Sequence, residues 1–156
     1  MIDQAWLDRA GRLLIPFVVV FLGGCGQGSP QPDSDNGGLY LPQGFEALVV
    51  ADSVPGRVRH ITVSDQGTLY AKLKFTDNGA VAAVVDHNGD GRSDEITPFA
   101  NPESAGKWSL QTGVRIYKGY LYFSTELTVY RMKMKAGSTI PDGPLEVVLQ
   151  DDHPHG

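Results

Sequence analysis

Residues 111–124 read QTGVRIYKGYLYFS. They comprise a short apolar strand, a Lys118-Gly119 turn, and a second strand carrying Leu121, Tyr122 and Phe123. A fainter copy lies upstream in residues 60–73, HITVSDQGTLYAKL. Gly67-Thr68-Leu69-Tyr70 there answers Gly119-Tyr120-Leu121-Tyr122 here, and the two glycines stand 52 positions apart. A repeat at such a period signals stacked or radially arranged units. The fold class is all-β.

Strand patterns extend outward from this pair. Residues 58–64 (VRHITVS) alternate and turn at Asp65-Gln66-Gly67, and 68–75 follow. A hairpin turn at Asp77-Asn78-Gly79 leads into 80–85, and an Asp/Gly-rich loop leads into 95–99. The series then restarts with 113–117, 120–125, 128–134 and 145–149. Upstream, 45–51 (FEALVVA), entered through Pro42-Gln43-Gly44, reads as one further strand. No segment beyond residue 26 keeps a helical period over three turns.

Each unit therefore has four strands. Glu95-Ile96 and Glu146-Val147 hold matching last strands, and Glu46-Ala47 looks like a lone third copy. A circular β-propeller gives this pattern when its N-terminal strand closes the final blade. Blade one spans about 57–103 and blade two about 107–150. A six-bladed ring at this period needs roughly 300 residues plus loops. The expectation is thus the N-terminal part of a larger protein, or a truncated product, with two blades of six. The competing architecture is a complete sandwich of eight or nine strands.

The first 25 residues read as an address. Arg9 and Arg12 precede an apolar run over 13–22, too short to span a bilayer comfortably, and Leu22-Gly23-Gly24-Cys25 ends it. This resembles a bacterial lipobox, with Cys25 lipidated and Gly26 after it suiting an outer-membrane address facing the periplasm. The plainer alternative is an uncleaved anchor. Cys25 is the only cysteine, so no disulfide can form within the chain. Residues 26–38 (GQGSPQPDSDNGG) lack apolar side chains and read as a disordered tether, leaving 39–156 as the folded part. The net charge is −5 with scattered basic residues, which leaves no footprint for nucleic acid.

LPQGF at the entry, DQGTLYAKL, VDHNGDGRSDE, the GYLYFST…VYRMK hairpin and PDGPLEVVL together resemble the glucose/sorbosone dehydrogenase family. The match covers about residues 39–156. The resemblance implies a six-bladed quinoprotein that oxidises a sugar hydroxyl by hydride transfer to pyrroloquinoline quinone, with calcium polarising the quinone. A non-catalytic surface propeller that binds glycans or a protein partner is the alternative.

Three places carry candidate chemistry. Asp86, Asn88, Asp90 and Asp94, with the Arg92 carbonyl, fall at loop positions one, three, five, nine and seven, and Gly91 at six. That spacing suits calcium, although Thr97 stands where a helix–loop–helix site has Glu. The plain reading is an Asn/Asp-Gly turn whose carboxylates face water. At the chain end lie His153 and His155. The resemblance implies a base at this junction, with His155 the better match and His153 the second; a solvated tail is the alternative. Gln111 stands at the entry of blade two, where the family's Gln-x-Gly-Leu pattern places a glutamine beside quinone and sugar, with Val114 here replacing Leu. His60 is taken as the equivalent entry of blade one, a place where histidine more often packs. The tyrosines 117, 120, 122 and 130, with Phe123, read as blade packing more than as a sugar platform.

Overall fold

The computed structural model describes residues 29–74, 79–101 and 113–151. Among these, eight strands form two four-stranded antiparallel sheets, each a simple meander in sequence order. The first holds β1 (Arg57–Val63), β2 (Leu69–Lys74), β3 (Val81–Val85) and β4 (Glu95–Phe99). The second holds β5 (Val114–Tyr117), β6 (Tyr120–Ser124), β7 (Thr128–Lys133) and β8 (Glu146–Gln150). The eight strands expected from residue 58 onward are all present, with ends shifted by at most one residue. The sole helical element among the described residues is a 3₁₀ turn, Asn36–Gly38.

Side-chain patterning shows why the sheets stack. In β6, Leu121 and Phe123 are buried while Tyr120, Tyr122 and Ser124 are half-buried, so one face of the strand enters the core. Cross-strand register puts Val114, Phe123 and Tyr130 on that face, together with Ile116, Leu121 and Met132. They meet Tyr70, Val81, Ala83 and Phe99 of the first sheet, which also share one face by register. Tyr70 packs edge-on to Phe99 with ring centroids 6.1 Å apart, and Phe123 stacks on Tyr130 at 5.6 Å. In β3 (VAAVV) all five residues are buried, the pattern of a strand covered on both sides. Ala71, Leu73 and Ala82 form its second cluster, with Val54 packed over them.

Two turns fix the registers. Lys118 and Gly119 both have positive φ, 46° and 77°, the conformation a two-residue hairpin of the primed type requires. The β1–β2 turn is longer and is closed by Ser64, whose Oγ accepts from the Thr68 N–H at 3.1 Å. Val63 pairs with Leu69, and Ile116 with Leu121, so the upstream turn has one residue more. The repeat offset is therefore 52 from β2 to β6 and 53 from β1 to β5. On this register His60 corresponds to Gly113, two positions beyond Gln111, which corrects the expected equivalence of the two blade entries. His60 also lies in the middle of β1, beside a bulge between Val58 and His60, and not at a strand start.

Residues 45–51 are not a strand. Their alternate polar groups bond to side chains and loops instead of to a neighbouring strand. Asp33 N–H donates to the Ala47 carbonyl at 2.9 Å, and Ser93 N–H to the Val50 carbonyl at 2.8 Å. The Ala47 N–H donates to Asn36 Oδ1 at 3.0 Å and the Val49 N–H to Asp33 Oδ2 at 2.6 Å. Asp33 also pairs with Arg92, whose Nη1 donates to the Val49 carbonyl at 3.3 Å. Asp33 to Gly38, within the expected tether, are thus held against the fold.

Candidate functional site

The first strands of the two sheets, the edge strands β1 and β5, lie beside each other. Where β5 begins, a cleft of about 290 Å³ opens, at the lower end of ordinary small-molecule sites (roughly 300–1,000 Å³). It is lined by His60 from β1, Gly113 just before β5, Val114 and Arg115 from β5, Tyr122 to Ser124 from β6, and Val129 from β7. The Gly113 N–H donates to Ser124 Oγ at 3.3 Å, and Ser124 N–H donates to the Gly113 carbonyl at 3.1 Å. A Cβ on Gly113 would stand 3.0 Å from Ser124 Oγ, so the absence of a side chain keeps this wall close.

The cleft offers complementary chemistry. His60 is exposed, and an imidazole can take a hydroxyl proton near neutral pH. Arg115 is exposed and has no ion-pair partner among the described residues, leaving its planar donors for a carboxylate or carbonyl oxygen. The Arg131 guanidinium is shared by Tyr122 and by Glu146, whose Oε2 accepts from Arg131 Nε at 2.7 Å. Arg115 was not singled out by sequence reasoning. The signal was present: alternation along Gly113-Val114-Arg115 puts Val114 into the core and Arg115 on the opposite face.

The 86–95 loop is organised by its own side chains. Asp86 Oδ1 accepts from the N–H of Gly89 at 2.7 Å and of Asn88 at 3.2 Å, and Oδ2 from Gly91 at 2.8 Å. These bonds, that to Gly91 foremost, hold the Asp86 carboxyl below its usual range. Asn88 Oδ1 accepts from Asp90 N–H, Asp90 Oδ1 from Arg92 N–H, and Asp94 Oδ2 from His87 N–H, all at 2.7–2.8 Å. Among the described residues, no group of three or more His, Cys, Asp or Glu side chains is disposed to hold a metal ion. The donor types suit calcium.

Of the expected aromatic packing residues, Phe123 and Tyr130 are buried, whereas Tyr117 is exposed and Tyr120 and Tyr122 are half-buried on the outward face of the second sheet. Gln111, His153, His155 and Cys25 lie outside the described residues. Among the described residues no helix is long and apolar enough to cross a membrane. Comparison with family models, curated proteins and solved structures returned no match.

Proposed function

We propose that this chain contributes the β1–β5 cleft to a quinone-dependent sugar dehydrogenase of the glucose/sorbosone type. One observation carries the reading. An imidazole (His60), a guanidinium without an ion-pair partner among the described residues (Arg115) and a hydroxyl (Ser124) line one open cleft where the edge strands β1 and β5 meet. Gln111, which the family resemblance places beside quinone and sugar, precedes the Gly113 wall by two residues. The sheets themselves support a propeller over a sandwich. Both are plain meanders, without the strand exchange of a Greek key.

In this reading the quinone, with its calcium, supplies the sink for two electrons when bound. The sugar loses hydride from carbon and a proton from the hydroxyl oxygen. His155, or His153 after it, takes that proton as the resemblance implies. His60 and Ser124 would hold neighbouring hydroxyls, and Arg115 would donate to a quinone oxygen or carboxylate. Cys25 carries a lipid that keeps the protein at the outer membrane, so Cys25→Ser releases it from the membrane fraction.

The half-buried Tyr120 and Tyr122 beside exposed Tyr117 favour a second reading, a surface propeller that binds glycans without chemistry. Reconstitution separates the two. The protein, loaded with pyrroloquinoline quinone and calcium, is assayed with an artificial electron acceptor and a panel of sugars. His60→Ala and Arg115→Ala are expected to lower kcat/KM by roughly tenfold or more. Sugar binding with neither turnover nor quinone binding would leave the glycan-binding reading.

A further inference from the structure

The outward face of the second sheet carries one row of polar side chains across all four strands. Register sets Arg115 of β5 opposite Tyr122 of β6, Tyr122 opposite Arg131 of β7, and Arg131 opposite Glu146 of β8. The row thus holds two guanidiniums and one carboxylate. Arg131 takes that carboxylate, bonds the Tyr122 hydroxyl, and lies over the Tyr120 ring at 4.5 Å. Arg115 stands at the cleft end of the row, exposed and with no ion-pair partner among the described residues. The row is short of one acid.

The cleft has the same imbalance. Its described lining includes His60, Arg115 and Ser124 but no carboxylate. Glu126, in the β6–β7 turn, is exposed and separated from Ser124 by the buried Thr125. Lys72, the cross-strand partner of His60, is buried, and loss of solvation lowers its pKa to about 8, so it still carries charge at neutral pH. A poorly solvated charge acts over a longer distance than one in water. This local excess of positive charge runs against a net charge of −5 for the whole chain. Ser124 Oγ accepts from the Gly113 N–H, which leaves its own O–H as a donor.

We infer that the sugar this cleft takes is an acidic one, a hexuronate whose carboxylate accepts from the Arg115 guanidinium and the Ser124 hydroxyl. The inference rests on the reading of the cleft as a sugar site and names the chemical class of the sugar. A planar guanidinium meets a carboxylate with two parallel N–H bonds, and its five donors leave some for a quinone oxygen as well. His60 then faces the ring hydroxyls. A cleft of about 290 Å³ has room for one sugar ring, so the acid is a monosaccharide or the end of a chain.

Calorimetric titration of the full chain, first without quinone and then with quinone and calcium loaded, tests this. Glucuronate is expected to bind roughly tenfold or more tightly than glucose, and than glucuronamide, in which an uncharged amide replaces the carboxylate. Arg115→Gln, checked by circular dichroism, is expected to abolish the preference, and Arg115→Lys to keep part of it. Should Arg115→Gln misfold, the wild type alone decides, because a charge-based preference shrinks as salt is raised. Equal affinity for glucuronate and glucose overturns the inference and leaves the neutral-sugar site standing. A preference that persists in Arg115→Gln or is unmoved by salt, or acetate binding as tightly as glucuronate, also overturns it. Binding of neither sugar overturns the inference together with the sugar site. Glucuronate binding with the expected preference, but without oxidation in the quinone-loaded protein, supports the inference and removes the dehydrogenase reading instead.

Discussion

The Tyr70 hydroxyl, at the centre of the first sheet, donates to the carbonyl of Thr139 at 2.8 Å and so pins that sheet to the β7–β8 connection of the second. Tyr70 is fully buried, and that burial raises its hydroxyl pKa above the usual value. Tyr70→Phe removes one buried hydrogen bond and is expected to cost about 1 kcal/mol. Tyr70→Ala also empties the inter-sheet core and is expected to cost about 3–5 kcal/mol. Denaturant unfolding monitored by circular dichroism measures both.

Lys72 is expected to make the fold more stable in mild alkali. It is 2 % exposed, and its Nζ donates to the Leu73 carbonyl at 3.0 Å. Loss of solvation lowers its pKa to about 8. From about pH 8 to 10.5 the unfolded chain holds more protons than the folded one, so stability rises with pH across that window. Below it both states are protonated, and the buried charge weighs against folding by roughly 3 kcal/mol. Lys72→Met is expected to raise stability at pH 7 by about 1–3 kcal/mol and to flatten the alkaline rise. Thermal unfolding of both proteins from pH 7 to 10.5 checks this.

Asp33 and Arg92 clamp residues 33–51 onto the 86–95 loop. The Arg92 guanidinium first, and the Val49 N–H second, hold the Asp33 carboxyl below its usual value. Its contribution is therefore present above the ordinary carboxylate range and is lost as pH falls through the lowered value. Arg92→Ala is expected to expose residues 33–51 to limited proteolysis at neutral pH while the sheets remain folded. Cleavage no faster than in the wild type would contradict the clamp.

Gly79 is a second sharp test of packing. It is buried with φ +135°, and a Cβ there would press into the Phe99 carbonyl of β4. Gly79→Ala combines a strained backbone with a backbone clash and is expected to lower the thermal midpoint markedly. By contrast Gly67→Ala, at a positive φ in open space, is expected to have a smaller effect.

Most of the strand map was legible because turn residues and alternation are local signals. Lys118-Gly119 and the run from Tyr120 to Ser124 declare a hairpin without reference to the rest of the chain. Residues 45–51 were misread for the opposite reason. Their composition suits a strand, but the partners for their backbone are the Asp33 and Asn36 side chains and the 86–95 loop, up to 43 residues away. One extra residue of turn length between Val63 and Leu69 puts His60 opposite Gly113, a shift of register that alters no strand pattern and so could not be read from the strands alone. The 86–95 spacing was legible, but not which oxygens its own N–H groups would occupy. Lys72 was hidden too, because an alternating strand with lysine reads as solvent-facing until a second sheet covers it.

The account rests on the β1–β5 cleft as the ligand site, and amide NMR reads that directly. Isotope-labelled protein is titrated with pyrroloquinoline quinone and then with glucose. The prediction is that shift changes cluster on His60, Gly113 to Arg115 and Tyr122 to Ser124, and that they vanish in Arg115→Ala. Unchanged spectra, or changes confined to the 86–95 loop or to Tyr117 and Tyr120, would contradict it.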